Sequence, residues 1–254
     1  MKKQLKVMVI GGFFIICLFF IPLNYYLIAP GEVYNLKDWV ITSSTQEKNH
    51  FYAPSVAVYE NKYFAMVNTT LFNKLNTNPF YLMYAGLSPS VEAKKLTDFL
   101  PRGTTSEQYE EVMKSATSIS ISNMKYLVAK KLNMSLDELN LSINVSNEGP
   151  SVVVAFALEA LNQFAEQDLT NGFKIGAVGN MDRDGRVYGV GAIKQKILAA
   201  EKQQIDILFI PNKESTEDIK GMKTKVQVIP ITTIDEALEY LGNLDEETQE
   251  KRKS

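Results

Sequence analysis

The sequence predicts a mixed α/β ectodomain behind an N-terminal transmembrane helix. Three observations predict it. The run from Val7 to Leu23 carries no charge, short β-branched and aromatic stretches crowd residues 39–71, and strand-like and helix-like segments alternate from Thr105 to Leu241. The chain has 254 residues, 45% of them hydrophobic and 22% charged, which is the composition of a folded protein long enough for one large domain or two small ones. Its net charge is −2, and setting aside Lys2, Lys3 and Lys6 leaves −5 on the remainder. An acidic body excludes nucleic acid as the expected partner, because phosphate neutralisation needs a basic face.

The first element is the apolar run, with Asn24-Tyr25-Tyr26-Leu27-Ile28 continuing it before the first acid, Glu32. Counted to Ile28, it reaches across a hydrocarbon core of about 30 Å. A cleaved signal peptide would have a shorter apolar core and a small-x-small site, so residues 1–30 are read as a retained anchor. The three N-terminal lysines keep that end cytoplasmic and send the rest across the membrane, with Tyr25 and Tyr26 at the far interface. Cys17 lies inside the run without the preceding small residue of a lipoprotein site.

Residues 31–104 read as β-rich, with strands over Trp39–Thr42, Ser55–Tyr59 and Tyr63–Leu71, and no assignment for Asn73–Pro101. Thr105-Ser106-Glu107-Gln108 has the form of a capping box and opens a helix with Tyr109, Val112, Met113, Ala116, Ile119 and Leu127 at helical spacing. A strand over Leu139–Val145 and a turn lead into an apolar helix, Val152–Phe164. Strands Phe173–Val178 and Arg186–Val190 flank the turn Asp182-Arg183-Asp184-Gly185, whose glycine is misplaced for a calcium loop. Next come helix Lys194–Gln203, strand Ile205–Ile210, helix Ser215–Met222, strand Lys225–Ile229 and helix Ile234–Leu241. Residues 244–254 read as a charged, solvated tail.

The chemistry is bounded by two residue types present once each. Cys17 and His50 together cannot supply a zinc site, and Cys17 alone cannot form an intramolecular disulfide. The sequence has no GxxxxGK[ST] loop, and Gly189-Val190-Gly191 lacks the third glycine of a dinucleotide fingerprint. A nucleophilic enzyme must therefore use His50 as its base or do without histidine. Ser151 stands where a Gly149-Pro150 turn enters a helix, a place with unpaired N–H groups and a positive dipole end that stabilise a developing oxyanion. A serine hydroxyl needs a base, and Lys196, flanked by Ile193, Ile197, Leu198, Ala199 and Ala200, can serve if burial holds its amine neutral. As purely structural alternatives, Ser151 is a helix cap and Lys196 a snorkelling surface lysine.

Taken together, Gly149-Pro150-Ser151, a long helix, Asp168 to Ile175, Asp184-Gly185, and Gly191-Ala192-Ile193-Lys194-Gln195-Lys196 with Ala199-Ala200 resemble the proteolytic domain of Lon proteases. The likeness is greatest to membrane-anchored, ATP-independent Lon-like peptidases, and it covers residues 105–243 as the proteolytic domain. The resemblance implies Ser151 as nucleophile and Lys196 as general base, a peptide or protein substrate, and neither ATP nor metal as cofactor. The chain departs from the family pattern at several positions. Ala192 replaces a glycine, Val152 and Val153 replace a small Ala-Gly pair that lets substrate backbone approach, Val178 replaces a threonine that helps hold the lysine, and Glu148 occupies a position of open role. The stretch from Leu132 to Leu139 is too short for the PDZ domain expected there. Two functional readings follow: an extracytoplasmic serine endopeptidase, and a catalytically silent, membrane-tethered binding module that keeps the fold. A hydrolase built on His50 has no supporting motif, and oligomeric state is not legible.

Overall fold

A computed structural model describes residues 2–21, 23–43, 47–59, 77–99, 104, 106–144, 149–212 and 219–253. The chain divides into two compact units, residues 1–30 with 56–106, and residues 31–55 with 107–254. The strand expected over Tyr63–Leu71, the first half of the helix expected over Ser215–Met222, and Glu148 lie outside the described residues, while Ile219–Gly221 form a turn rather than a helix.

In the first unit, helix α1 spans Lys2–Phe20. Leu5, Val7, Met8, Val9, Ile10, Phe13 and Phe14, which point to several sides of the helix, are each 63–73% exposed. Among the described residues, no helix is long and apolar enough to cross a membrane. The expected span was too generous at its C-terminal end. Tyr25–Ile28, counted into it, belong instead to strand β1 (Tyr25–Asn35), whose first four residues pair antiparallel with β4 (Glu92–Lys95). The reason is local: aromatic and β-branched residues after a proline favour an extended chain, and burial of Tyr26, Leu27 and Ile28 rewards it. The uncharged part of α1, Val7–Phe20, is 14 of its 19 residues and rises about 21 Å.

Helix α2 (Pro79–Leu87) occupies part of the stretch left unassigned by sequence. Asn78 caps it, its Oδ1 accepting from the amides of Phe80 (3.0 Å) and Tyr81 (3.2 Å), and Pro79 fits the first helical position, where no amide is needed. Thr77 and Asn78 are buried, and the Leu23 amide donates to the Thr77 carbonyl at 2.9 Å. The short helix α3 (Leu96–Phe99) follows β4.

The second unit is built on parallel strands. β10 (Gln227–Ile231) pairs with β9 (Ile207–Pro211), β9 with β6 (Ile175–Ala177), and β6 with the start of β3 (Tyr52–Tyr59) at Tyr52 and Gly176. All five residues of β9 are buried, as a strand covered on both faces requires. Their alternation assigns the two faces. Ile207 and Phe209 join the core that includes Met124 and Val128 of α4 (Ser106–Leu132), nearly all of α5 (Val153–Phe164), and Ile234, Ala237 and Leu241 of α7 (Ile234–Lys253). Leu208 and Ile210 join a second core with Ile193, Ile197 and Ala200 of α6 (Ile193–Lys202). The sheet thus has α5 over one face and α6 over the other.

Smaller elements complete the unit. Strand β2 (Val40–Ile41) pairs with β5 (Ser142–Ile143), so the strand expected over Leu139–Val145 is short, and buried Leu139 instead precedes it in a turn closed by Ser135 and Glu138. A hairpin does form around the Asp182–Gly185 turn, but its arms are β7 (Asn180–Met181) and β8 (Val187–Tyr188); the segment expected as its first arm, Phe173–Val178, supplies the parallel strand β6 instead. The Asp182 carboxylate closes its turn by accepting from the amides of Asp184 and Arg186 and from the Tyr188 hydroxyl, so the acid is used internally. Residues 244–253 continue α7 rather than forming an irregular tail. Glu, Gln, Lys and Arg in DEETQEKRK are good helix formers, a signal outweighed in the sequence by the lack of apolar residues.

Candidate functional site

Ser151 and Lys196 are carried by elements on opposite faces of the parallel sheet, and the segment just after β6 connects them. Pro150, Ser151 and Val152 form a single 3-10 turn that feeds α5, with Gly149 extended at its start (φ −76°, ψ 174°). That turn is fastened to the sheet by main chain alone: the Gly179 amide donates to the Ser151 carbonyl at 2.7 Å, and the Val154 amide donates to the Gly179 carbonyl at 3.1 Å. Gly179 has φ +147°, and a Cβ there would lie 2.9 Å from Val154 Cγ2 and 3.0 Å from Val187 Cγ1, so only glycine permits this approach. One residue earlier, the Val178 amide donates to the Phe209 carbonyl, while its side chain, 1% exposed, packs in the α6 core. Val178 and Gly179 therefore hold the serine turn with one residue and pack with the lysine helix through the other.

Lys196 is 3% exposed, on the second turn of α6. Burial holds its amine at about 8, well below the ordinary value of 10.5, and desolvation is the cause. The snorkelling alternative is thereby excluded for Lys196. Among the described residues, no side-chain hydrogen bond joins Ser151 to Lys196, and Ser151 is half-buried. Helix α6 starts from Ala192 in the left-handed conformation (φ 59°, ψ 40°), and the Lys196 amide closes on the Ala192 carbonyl. The position of the missing glycine is thus one where a glycine would sit without strain.

The valines that replace the small Ala-Gly pair do not stand over the serine. Val152 and Val153 are 4% and 0% exposed and belong to the core beneath α5. The expectation that they narrow substrate access is corrected: their branches fill the core.

His50 is placed elsewhere. Its Nδ1 lies 2.7 Å from Glu159 Oε1, and the same carboxylate accepts from the Phe51 amide and from Gln163 Nε2, both at 2.7 Å. Glu159 is fully buried and sits eight residues beyond Ser151, about 12 Å along the helix axis. His50 precedes β3, and with Lys48, Asp168 and Lys174 it lines a cavity of about 780 Å³ at the N-terminal edge of the parallel strands, opposite the edge that carries Gly179. This arrangement separates His50 from Ser151. Lys48 donates to the Asn162 carbonyl at 2.8 Å and to the Ala165 carbonyl, placing a cation at the C-terminal end of α5. Neither the Glu159 cluster nor the bracing by Gly179 was singled out from sequence; a lone acid in the apolar run VVVAFALEALNQF was the available signal for the first. Among the described residues, no group of three or more His, Cys, Asp or Glu side chains could hold a metal ion.

The model of the Lon protease (S16) C-terminal proteolytic domain matches residues 84–242. Among curated proteins, the chain is similar to Lon protease of Mycoplasma mobile, 25% identical over 170 residues that cover 63% of this chain and 20% of the relative. It is similar to Lon protease of Campylobacter jejuni, 26% identical over 152 residues, 51% of this chain and 19% of the relative. With Lon protease of Trichlorobacter lovleyi it shares 32% identity over 97 residues, 37% of this chain and 12% of the relative. The matched region is thus a fifth or less of the length of these relatives.

Proposed function

Because the chain belongs to the family of the Lon protease (S16) C-terminal proteolytic domain, we propose that it is an ATP-independent serine endopeptidase, anchored in the membrane and acting outside the cytoplasm, with Ser151 as nucleophile and Lys196 as general base. The observation that carries the reading is the buried Lys196 amine, held at about 8, on a helix whose core includes the residue next to the brace on Ser151. At that value a useful fraction of the amine is neutral near pH 8 without any acid or metal to activate it.

In the proposed reaction, neutral Lys196 takes the hydroxyl proton of Ser151 as the oxygen attacks the substrate carbonyl. The oxyanion forms beside the Ser151 turn at the N-terminal end of α5, whose dipole favours it. Lys196 then returns its proton to the leaving amine, and water hydrolyses the acyl-enzyme with the lysine again as base. Substrate binding supplies the closer Ser-Lys approach that the resting arrangement lacks. The membrane reading is supported by the lysine-flanked, uncharged run Val7–Leu23 and by the exposure of its apolar side chains. No nucleotide is assigned, since the 254 residues contain no phosphate-binding loop.

A serine-reactive probe and a peptide library, applied to the full chain in detergent without ATP, test the reading. Labelling and cleavage are expected in the wild type and in His50→Ala, and neither in Ser151→Ala, Lys196→Ala or Lys196→Arg, because a guanidinium cannot be deprotonated. Absence of labelling and turnover in the wild type, with both gained when Val178→Thr and Ala192→Gly are introduced, establishes the silent binding module instead. The missing hydrogen bond between Ser151 and Lys196 is the observation that favours that second reading.

A further inference from the structure

The cavity of about 780 Å³ beside His50 lies within the second unit, away from the serine turn, and its lining offers more donors than its own acceptors engage. Among the described residues, Asp168 and Glu47 are its acids. Asp168 is fully engaged: its Oδ2 accepts from the amide and Nδ2 of Asn49, and its Oδ1 from the amide and hydroxyl of Thr170. Glu47 is exposed. Of the lining lysines, Lys48 is held by the two carbonyls at the end of α5. Lys37 and Lys174 are exposed, and among the described residues neither ammonium has an ion-pair or hydrogen-bond partner.

Main-chain bonds fix where those two lysines stand. The Leu36 amide donates to the Phe51 carbonyl at 3.0 Å, which sets Lys37 near His50. The β3–β6 register pairs Tyr52 with Gly176, and carried back two residues it sets Lys174 beside His50. The Lys174 amide donates at 2.8 Å to Oδ2 of Asp206, an acid that does not line the cavity. The Glu159 carboxylate has no proton to give, so the His50 nitrogen 2.7 Å from it, Nδ1, is the one that carries hydrogen. Nε2 is left without a protein partner among the described residues, on a ring that lines the cavity. Protonated there, the ring donates toward a ligand while buried Glu159 holds its other nitrogen. The charged groups around it are then Glu159, Asp168, Glu47, Lys37, Lys48 and Lys174, and with the ring counted the positive charges exceed the negative ones by one. Ile41, Tyr52 and Phe173 add apolar wall, Ile41 and Phe173 being exposed and Tyr52 half-buried.

We propose that this cavity binds a phosphate monoester, its phosphate held by Lys37, Lys174 and protonated His50 and its organic body lying against Ile41, Tyr52 and Phe173. Three donors brought from three separate segments suit the three terminal oxygens of a phosphate better than the two coplanar oxygens of a carboxylate. The cavity is also larger than a bare phosphate needs, which leaves room for the body.

Isothermal titration calorimetry of the full chain in detergent at pH 6.5, with phenyl phosphate as the probe, tests this without any reference to cleavage, so its outcome is separate from that of the peptidase reading. Saturable binding at one site with a Kd below about 1 mM is expected. Lys37→Ala and Lys174→Ala, which remove exposed side chains and spare the core, should each weaken it about fivefold or more, and His50→Gln likewise. Lys223→Ala, an exposed position outside the cavity, should leave it unchanged. No saturable heat in the wild type overturns the inference. Wild-type affinity in both cavity-lysine variants, or an equal loss in Lys223→Ala, overturns it as well. Benzoate bound as tightly as phenyl phosphate overturns the assignment of a phosphate.

Discussion

Replacing Lys196 by methionine keeps an unbranched side chain of similar length and removes the charge, so it isolates what burying the amine costs. The lysine carries a value of about 8 when folded and 10.5 as a model compound. The unfolded chain therefore binds the proton more tightly, and stability rises with pH between the two values. The cost is fully present below about 8 and is relieved as pH climbs toward 10.5. At pH 7 the difference of some 2.5 units corresponds to about 3 kcal/mol, and at pH 9 to about 2 kcal/mol. Lys196→Met is expected to raise unfolding stability by those amounts while abolishing cleavage. Urea titrations of the full chain at pH 7, 8 and 9 measure it, and the gain should shrink as pH rises. A variant equally stable as, or less stable than, the wild type at pH 7, or a gain independent of pH, would show that the amine is not desolvated, and the argument for a neutral base would fall.

Other expectations follow from the same site. Ala192→Gly removes a left-handed alanine at the start of α6 and should stabilise the fold by about 1 kcal/mol, read as a higher urea midpoint at unchanged slope; an unchanged midpoint refutes the strain. Gly179→Ala forces a Cβ against Val154 and Val187 and should cost more than about 2 kcal/mol, with loss of probe labelling at Ser151 in the fraction that still folds. Tolerance of alanine there would sink the bracing role. Glu159→Ala leaves the buried Phe51 amide without its acceptor and opens space in α5, so a loss of about 3 kcal/mol is expected from thermal or urea unfolding. Cleavage by the surviving folded protein should persist, because the cluster lies two turns from Ser151.

Much of the second unit could be read from periodicity. The helices now seen as α4, α5 and α6 and the buried strand β9 have strong patterns of their own, and the motif around Gly149-Pro150-Ser151 and Lys196 named the pair without any structure. What escaped depended on partners distant in sequence. Tyr25–Ile28 is as apolar as the run before it, and pairing with Glu92–Lys95 makes it a strand. Val152 and Val153 gave no sign of whether their branches faced substrate or core, since a single 3-10 turn shifts the phase of the helix that follows. Gly179 looked like one of many turn glycines until Val154 and Val187 closed around it. The exposed apolar surface of α2 was hidden because a nine-residue run offers too few turns for a helical pattern to stand out.

The two main-chain hydrogen bonds between Gly179 and the serine turn give the nucleophile a local stability of its own. They join a turn that is half-buried at Ser151 to a sheet margin, and the buried Val152, Val153 and Val154 behind that turn confine any fraying to the contact itself. Hydrogen exchange at the Gly179 and Val154 amides would then report the opening of the nucleophile's seat separately from global unfolding. Warming would silence the site before the spectroscopic melt begins, and a peptide bound across Ser151 would slow exchange at those two amides first.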